Sequence, residues 1–250
     1  TMTAARFPIK QAAISVTLSG LEELQNRGEE EMIDLIEARV DTAEDTFWNQ
    51  MSASIYSDGT GFGGKQLNGL ALLVSKAPTS GIVGGIDRGA QVWWRNVAVN
   101  ANTDSRGVVT NTNIQSYMNS TTIGLKRNTD GVNLIVADNN YYLNYLNSLQ
   151  AIQRITGDKQ AGAGFTSLKY FGAGKEVDVI LDGGKNGQIP ANTMYFLNDD
   201  YIYFRPHSGR NFKVIGGDRA NVNQDAIVRI MAWAGNMTIS NSSLQAVLWQ

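Results

Sequence analysis

The sequence predicts an α+β fold in which one long helix braces a β-rich half, with a helix–strand–helix unit set into the chain ahead of its last strand. Three observations predict it. An apolar stripe at helical spacing runs through residues 29–57, period-two alternation marks residues 10–20 and 226–250, and residues 111–155 read as helix, strand, helix.

Taken in order, "KQAAISVTLSG" at 10–20 places Ala12, Ile14, Val16 and Leu18 on one face of a strand. From residue 29 the steps change to three and four. Met32, Ile36, Val40, Ala43, Phe47, Met51 and Ile55 form one stripe, and Met32, Ile36, Val40, Phe47 and Met51 are its expected core. Glu29, Glu30 and Glu31 sit at the amino end, where the helix dipole favours anions, and "SDGTGFGG" at 57–64 stops the helix. At about 1.5 Å per residue it is roughly 40–45 Å long. Residues 65–100 are broken by glycines around the apolar run "LNGLALLVS".

A second helix covers 111–125, with Ile114, Met118 and Leu125 inward, and "VNLIVA" at 132–137 is a buried strand. Asp138 suits the cap of a third helix, whose turns are marked by Tyr142, Leu146, Leu149 and Ile152 or Arg154. Residues 157–167 read as a loop and 176–182 as a strand. "TMYFLNDDYIYFRP" at 193–206 reads as a hairpin turning at Asn198–Asp200. In the last segment Ile227, Arg229, Met231 and Trp233 alternate with Ala226, Val228, Ile230 and Ala232. That is a long strand, followed by a turn at Asn241–Ser243 and a short returning strand.

Composition narrows the function. The chain has 250 residues, enough for one large domain or two smaller ones. Its net charge of −2 lacks the basic excess of a protein that grips phosphates. With no cysteine, thiolate metal sites, disulfides and thiol nucleophiles are excluded, and the single histidine, His207, rules out multi-histidine sites. No apolar run approaches the roughly 20 residues of a membrane span. No cofactor or metal site is expected.

Motifs for catalysis are missing as well. "GAGKE" (172–176) and "GGKN" (183–186) lack the hydroxyl that follows lysine in a phosphate loop, and their glycines are misplaced. There is no Gly-x-Ser-x-Gly elbow and no His-Glu-x-x-His. Asp199 and Asp200 sit at a turn tip, and His207 follows Pro206 just beyond a strand. Tyr141, Tyr142 and Tyr145 could stack on sugars or bases, but their spacing wraps more than one helix face. An enzyme is not expected.

One stretch stands out: "GIVGGIDRGAQVWWRN", residues 81–96. Four glycines precede a pair of tryptophans and an arginine. Glycine frees the backbone, whereas paired tryptophan seeks something to pack on. That combination suits an active-site loop, a ligand platform or a joint between two rigid bodies.

In their order, these segments resemble the major capsid proteins of tailed bacteriophages with the HK97-like fold. "LEELQNRGEEEMIDLIEARVDTAED" (21–45) is similar to the entry of that family's spine helix, and "YSDGTG" (56–61) to its exit. "LNGLALLVSKAPTSGIVGGIDRGAQVWWRN" (67–96), "NLIVAD" and "AIVRIMAWAGNMTISN" follow as the family expects. The likeness covers nearly the whole chain, and its specificity lies in the order of the motifs.

The resemblance implies an HK97-like capsid fold of a long spine helix, a peripheral β-sheet domain and an axial α/β domain. Residues 1–27 would be part of the extended E-loop, 28–100 and 221–250 the peripheral domain, and 101–220 the axial domain. The family's N-terminal arm and outgoing E-loop strand have no counterpart before residue 29, which implies poor assembly by this chain alone. Gly84 and Gly85 would form the hinge, Trp93 and Trp94 would pack it, and Asp87, Arg88 and Arg95 would add ion pairs within or between subunits. The implied role is a non-enzymatic coat protein that self-assembles into an icosahedral shell around phage double-stranded DNA. Its partners would be other copies of itself, scaffold, portal and cement proteins, and loosely the packaged DNA, but no membrane. It would reside in the virion after assembly in the host cytoplasm. Two alternatives stay open: an encapsulin-like compartment shell and a carbohydrate-binding phage tail module.

Overall fold

The computed structural model describes residues 4–25, 29–149, 167–184, 187–220 and 225–250, with the side chains of all of these except 23–25, 29–36, 167 and 216–220. In chain order the elements are β1 (Lys10–Ser19), α1 (Gly20–Gln25), α2 (Glu29–Ile55), β2 (Ile82–Val83), β3 (Ile86–Asp87), β4 (Val97–Asn100), a helix Ile114–Gly124, β5 (Leu134–Ala137), a helix Asn139–Ser148, β6 (Ser167–Gly172), β7 (Lys175–Leu181), β8 (Thr193–Leu197), β9 (Ile202–Pro206), β10 (Lys213–Ala220), β11 (Ala226–Ile239) and β12 (Ala246–Trp249).

The alternating segments pair with each other across the length of the chain. β1 runs antiparallel to β11, from Lys10 opposite Gly235 to Ser19 opposite Ala226. The other flank of β11 takes β9 and then β10, with a bulge between Ile215 and Arg219. β11 is therefore the interior strand of a four-stranded sheet. α2 lies across one face of that sheet. The stripe read from the sequence does the work: Phe47 and Met51 are buried against Met231, Trp233 and Leu67, with Val40 and Ile14 beside them. Burial of each such side chain contributes about 1.5–3 kcal/mol. The expected core residues Met32 and Ile36 lie outside the described side chains, although their backbone is helical.

The second sheet has six strands in the order β4-β12-β8-β5-β7-β6. It is buried on both faces, which explains runs such as "LIVA" and "TMYFL" that do not alternate in polarity. Ile135, Phe196 and Leu248 face the two helices, where Ile114, Met118, Tyr141 and Tyr145 pack. Val136, Tyr195 and Val247 face the other way and meet Met237 and Ile239 of β11. This second core lies between the two sheets. The Asp138 cap is present: its carboxylate accepts the Tyr141 backbone N–H at 3.0 Å.

Three expectations need correction. β8 and β9 are not a hairpin: β8 pairs with β5 and β12, β9 with β11, and a single 3-10 turn, Asp199–Tyr201, carries the chain from one sheet to the other. Both edges of β8 are already occupied, so no edge is left for β9. Nor does β12 return onto β11; it enters the six-stranded sheet between β4 and β8. As a result sheet membership does not change at the expected boundaries of 100/101 and 220/221. β9 and β10 belong with β11, whereas β4 and β12 belong with the central strands. The third helix is described only to Ser148, and the loop expected at 157–167 falls almost wholly outside the described residues.

Candidate functional site

Residues 67–96 fill the space between the two sheets. β2 and β3 form a small hairpin whose two connecting residues, Gly84 and Gly85, have φ of 61° and 77°. Positive φ at both central positions is the type I′ geometry that suits a tight hairpin, and glycine adopts it without steric cost. Gly84 is also a point of close approach. A β-carbon there would lie 2.9 Å from Ala5 Cβ and 3.0 Å from Phe7 Cζ. The N-terminal segment is strapped over the hairpin by a 2.8 Å bond from Arg6 N–H to Gly84 O.

The two tryptophans divide their roles. Trp94 is buried and donates its indole N–H to Val83 O at 3.1 Å, so it packs the hairpin into the inter-sheet core. Trp93 is 54% exposed, stands edge-on to Trp94 at 5.6 Å, and donates to Gln91 Oε1 at 2.7 Å.

The expected ion pairs of Asp87, Arg88 and Arg95 are absent within the chain, among the described residues. The arginines bind carbonyl oxygens instead. Arg88 is almost wholly buried; it donates to Leu72 O at 3.0 Å, to Leu73 O, and to Ser242 Oγ at 3.2 Å. Burial pushes its pKa down to about 10. Arg95 donates to Arg88 O at 2.6 Å and to Gly89 O at 2.7 Å. Asp87 accepts the Gly89 N–H at 2.7 Å. The physical reason is local: a short helical turn and a bent hairpin leave unpaired carbonyls, which a guanidinium fork can gather.

Buried side-chain amides complete the links around residues 67–96, and sequence reasoning missed them. Asn236 accepts the backbone N–H of Asn68 at 3.0 Å and donates to Pro8 O at 2.7 Å. Gln245 binds both backbone groups of Asn198, at 2.8 and 3.1 Å. Asn96 does the same for Ser75, at 3.1 and 2.8 Å. Tyr56, just past α2, donates to the Asp182 carboxylate beyond β7, and burial with that carboxylate raises its pKa. The sequence is rich in asparagine, but residue type alone does not mark which amides are buried.

The remaining candidates scatter. Asp199, Asp200 and His207 are exposed. Tyr141 and Tyr145 are buried in the core, so the tyrosines offer no stacking platform. Among the described residues no cluster of three or more His, Asp or Glu is placed to hold a metal, and no helix is long and apolar enough to cross a membrane. The arrangement links the two sheets through residues 67–96 by packing and by hydrogen bonds to backbone groups.

No family model matches the chain, and no curated protein does. Solved structures do. The chain is similar to the capsid of cyanophage A-1(L), with a TM-score of 0.67 and 12% identity over 96% of this chain and 77% of that one. An encapsulin from Synechococcus elongatus PCC 7942 aligns with a TM-score of 0.58 and 7% identity, over 96% and 73%. The capsid of Myoviridae phage XM1 aligns with a TM-score of 0.54 and 10% identity, over 97% and 73%. The fold of this chain is therefore the α+β fold of these shell-forming proteins, as the HK97-like resemblance led one to expect.

Proposed function

We propose that this chain is a tailed-phage major capsid protein that self-associates into an icosahedral shell around duplex DNA. The observation that carries this reading is similarity of fold to a phage capsid chain over 96% of its length. In this reading α2 is the spine helix. The four-stranded sheet with α2 is the body of the peripheral domain, and the six-stranded sheet with its two helices is the body of the axial domain. The Gly84–Gly85 hairpin, packed by Trp94 and anchored by Arg88, is the joint between them. One sequence must occupy several slightly different environments in a shell, and packed joints with discrete arrangements permit that. The small net charge of −2 suits dense self-association and a loose contact with packaged DNA.

A second reading is an encapsulin-like compartment, favoured by the encapsulin alignment at a TM-score of 0.58. Negative-stain microscopy of the purified protein tests the common part: shells, tubes or capsomer rings are expected, and monomers at every concentration would overturn both readings. Portal, terminase and protease genes beside this one would favour the phage, and a cargo enzyme with a docking tail the compartment.

A further inference from the structure

β1 is an outer strand of the four-stranded sheet, paired with β11 on one side only. Its hydrogen bonds show which way each residue points. Gln11 lies opposite Ala234, and Ala234 uses both backbone groups on the far flank, donating to Arg210 O at 2.8 Å and accepting from His207 N–H at 2.7 Å. Gln11 therefore points away from β11. At the other end the Gly20 N–H donates to Asp225 O, beside β11, at 2.8 Å. The Ser19 N–H turns instead to the Glu22 carboxylate at 3.2 Å, and Thr17 O accepts from Arg39 at 2.9 Å. The ladder has no bulge, so one alternation holds throughout. Odd-numbered residues of β1 turn their N–H and C=O outward. Glu22 and Arg39 close that edge at Thr17 and Ser19. Among the described residues, no hydrogen bond takes the outward groups of Gln11, Ala13 and Ser15.

Exposed sheet edges are normally blunted by proline, charge, a bulge or a covering element. The opposite flank of this sheet follows that rule: β10 carries the bulge, and β9 ends in Arg205 and Pro206. β1 does not. It has no proline and no bulge, and its outward residues Gln11, Ala13, Ser15 and Thr17 are exposed and uncharged.

A cleft of about 510 Å³ runs beside this open stretch, between β1 and α2. Ile14, Phe47, Met51 and Leu67 give it an apolar lining, and its charged wall residues are both lysines, Lys10 and Lys65. Asp58 is absent from the walls, and its carboxylate is taken up by Thr60 N–H and Oγ1–H at 3.0 and 2.7 Å. α2 adds no acid on this side. Its flank toward β1 presents Arg39, Gln50 and Ser54. At 3.6 residues per turn Glu37, Asp41, Glu44 and Asp45 fall on the other flank, where Trp48 stacks on Phe212 at 4.2 Å.

We infer that the β1 edge from Gln11 to Ser15 takes an extended segment of another polypeptide as an added strand. Its alternate apolar side chains fill the cleft against Met51 and Leu67, and a carboxylate side chain lies at the end beside Lys10 and Lys65. Unpaired backbone groups select an extended chain, the lining selects apolar residues at every second position, and the lysines select an acid. The open stretch suits a segment of about five residues, at roughly 3.4 Å each. A second copy of this chain is a poor match: the open edges it would bring, β1, β4 and β6, contain no Asp or Glu. The inference stands on this geometry and is independent of the shell reading.

Fluorescence polarisation and amide hydrogen exchange on the full chain test it. The probe is a labelled synthetic peptide of alternating valine and threonine that begins with two glutamates. Binding should slow exchange at Gln11, Ala13 and Ser15 at least tenfold and leave Ala12 and Ile14, whose amides already face β11, unchanged. Replacing the glutamates by lysines, or methylating the peptide's backbone nitrogens, should each weaken binding at least tenfold. Ala13→Pro removes an outward N–H and no ladder bond, a placement that edge strands tolerate. It should abolish binding with thermal unfolding little changed. Lys65→Glu, at an exposed position, should reverse the preference to the lysine peptide, which keeps the test decisive if the proline variant fails to fold. No binding up to about 1 mM overturns the inference. So does binding that ignores backbone methylation, which would make the cleft a site for apolar groups alone. Slow exchange at Gln11, Ala13 and Ser15 that appears only on self-association, and that the peptide cannot displace, would give the edge to a second copy and overturn the stated partner.

Discussion

The guanidinium of Arg88 donates to the hydroxyl of Ser242 at 3.2 Å, joining two residues 154 positions apart. Ser242 sits in the link between β11 and β12, where the chain leaves one sheet for the other. Arg88 also holds the carbonyls of Leu72 and Leu73. One side chain therefore ties the β2–β3 hairpin, a helical turn and the sheet-to-sheet crossing. Replacement by alanine takes from Leu72 O its guanidinium donor, at about 1–3 kcal/mol, and leaves Leu73 O only the Ser242 hydroxyl at 3.3 Å. Arg88→Ala should lose about 3 kcal/mol in denaturant unfolding, and Arg88→Lys, lacking the planar fork, should recover less than half of that. Full recovery by lysine would show that charge alone suffices.

Gly84 and Gly85 both have positive φ, but they differ in surroundings. Gly85→Ala adds a methyl with nothing within 4 Å, so only backbone strain of roughly 1–2 kcal/mol is expected. Gly84→Ala adds the same strain and a collision with Ala5 and Phe7. It should loosen the N-terminal segment, visible as faster amide exchange at Arg6, and impair assembly more than it impairs folding. Equal losses in both would count against the joint.

Gly69 is required for a different reason. Its φ is not left-handed, yet a β-carbon there would lie 2.5 Å from Ser57 N and 2.6 Å from Ile55 O. Those are backbone atoms at the end of α2 and cannot swing away. Gly69→Ala should cost about 3 kcal/mol, read as a lowered urea midpoint at an unchanged slope.

Glu22 and Arg39 form a two-pronged pair at 2.6 and 3.0 Å, and Arg39 also donates to Thr17 O on β1. The bond to Arg39 lowers the Glu22 pKa from 4.5 to about 2. A depressed folded-state pKa means stability that is present above the unfolded value and is lost as pH falls through the folded one. The difference between wild type and Glu22→Gln should therefore be constant above about pH 5 and shrink between pH 4.5 and 2. Because the pair is still reached by solvent, 0.3 M salt should shrink it as well. A difference that ignores both pH and salt would mean that the pair contributes packing alone.

Periodicity alone determined the long helix, the alternating faces of β1 and β11, and the capping of the helix after Asp138, because each depends on residues within a few positions of one another. It also singled out residues 81–96, since glycines beside paired tryptophans are a local pattern. Only the tertiary structure decided which strands are neighbours. "TMYFL" and "IYFRP" flank a turn that would serve a hairpin equally well, and they separate because both edges of β8 are taken by strands remote in sequence. The same holds for Arg88, whose expected ion pair proved to be a set of carbonyl bonds, and for Asn236 and Gln245, whose amides bridge distant segments. Partner choice for a strand edge or a buried polar group is settled by what the rest of the chain has already filled, and no local pattern encodes that.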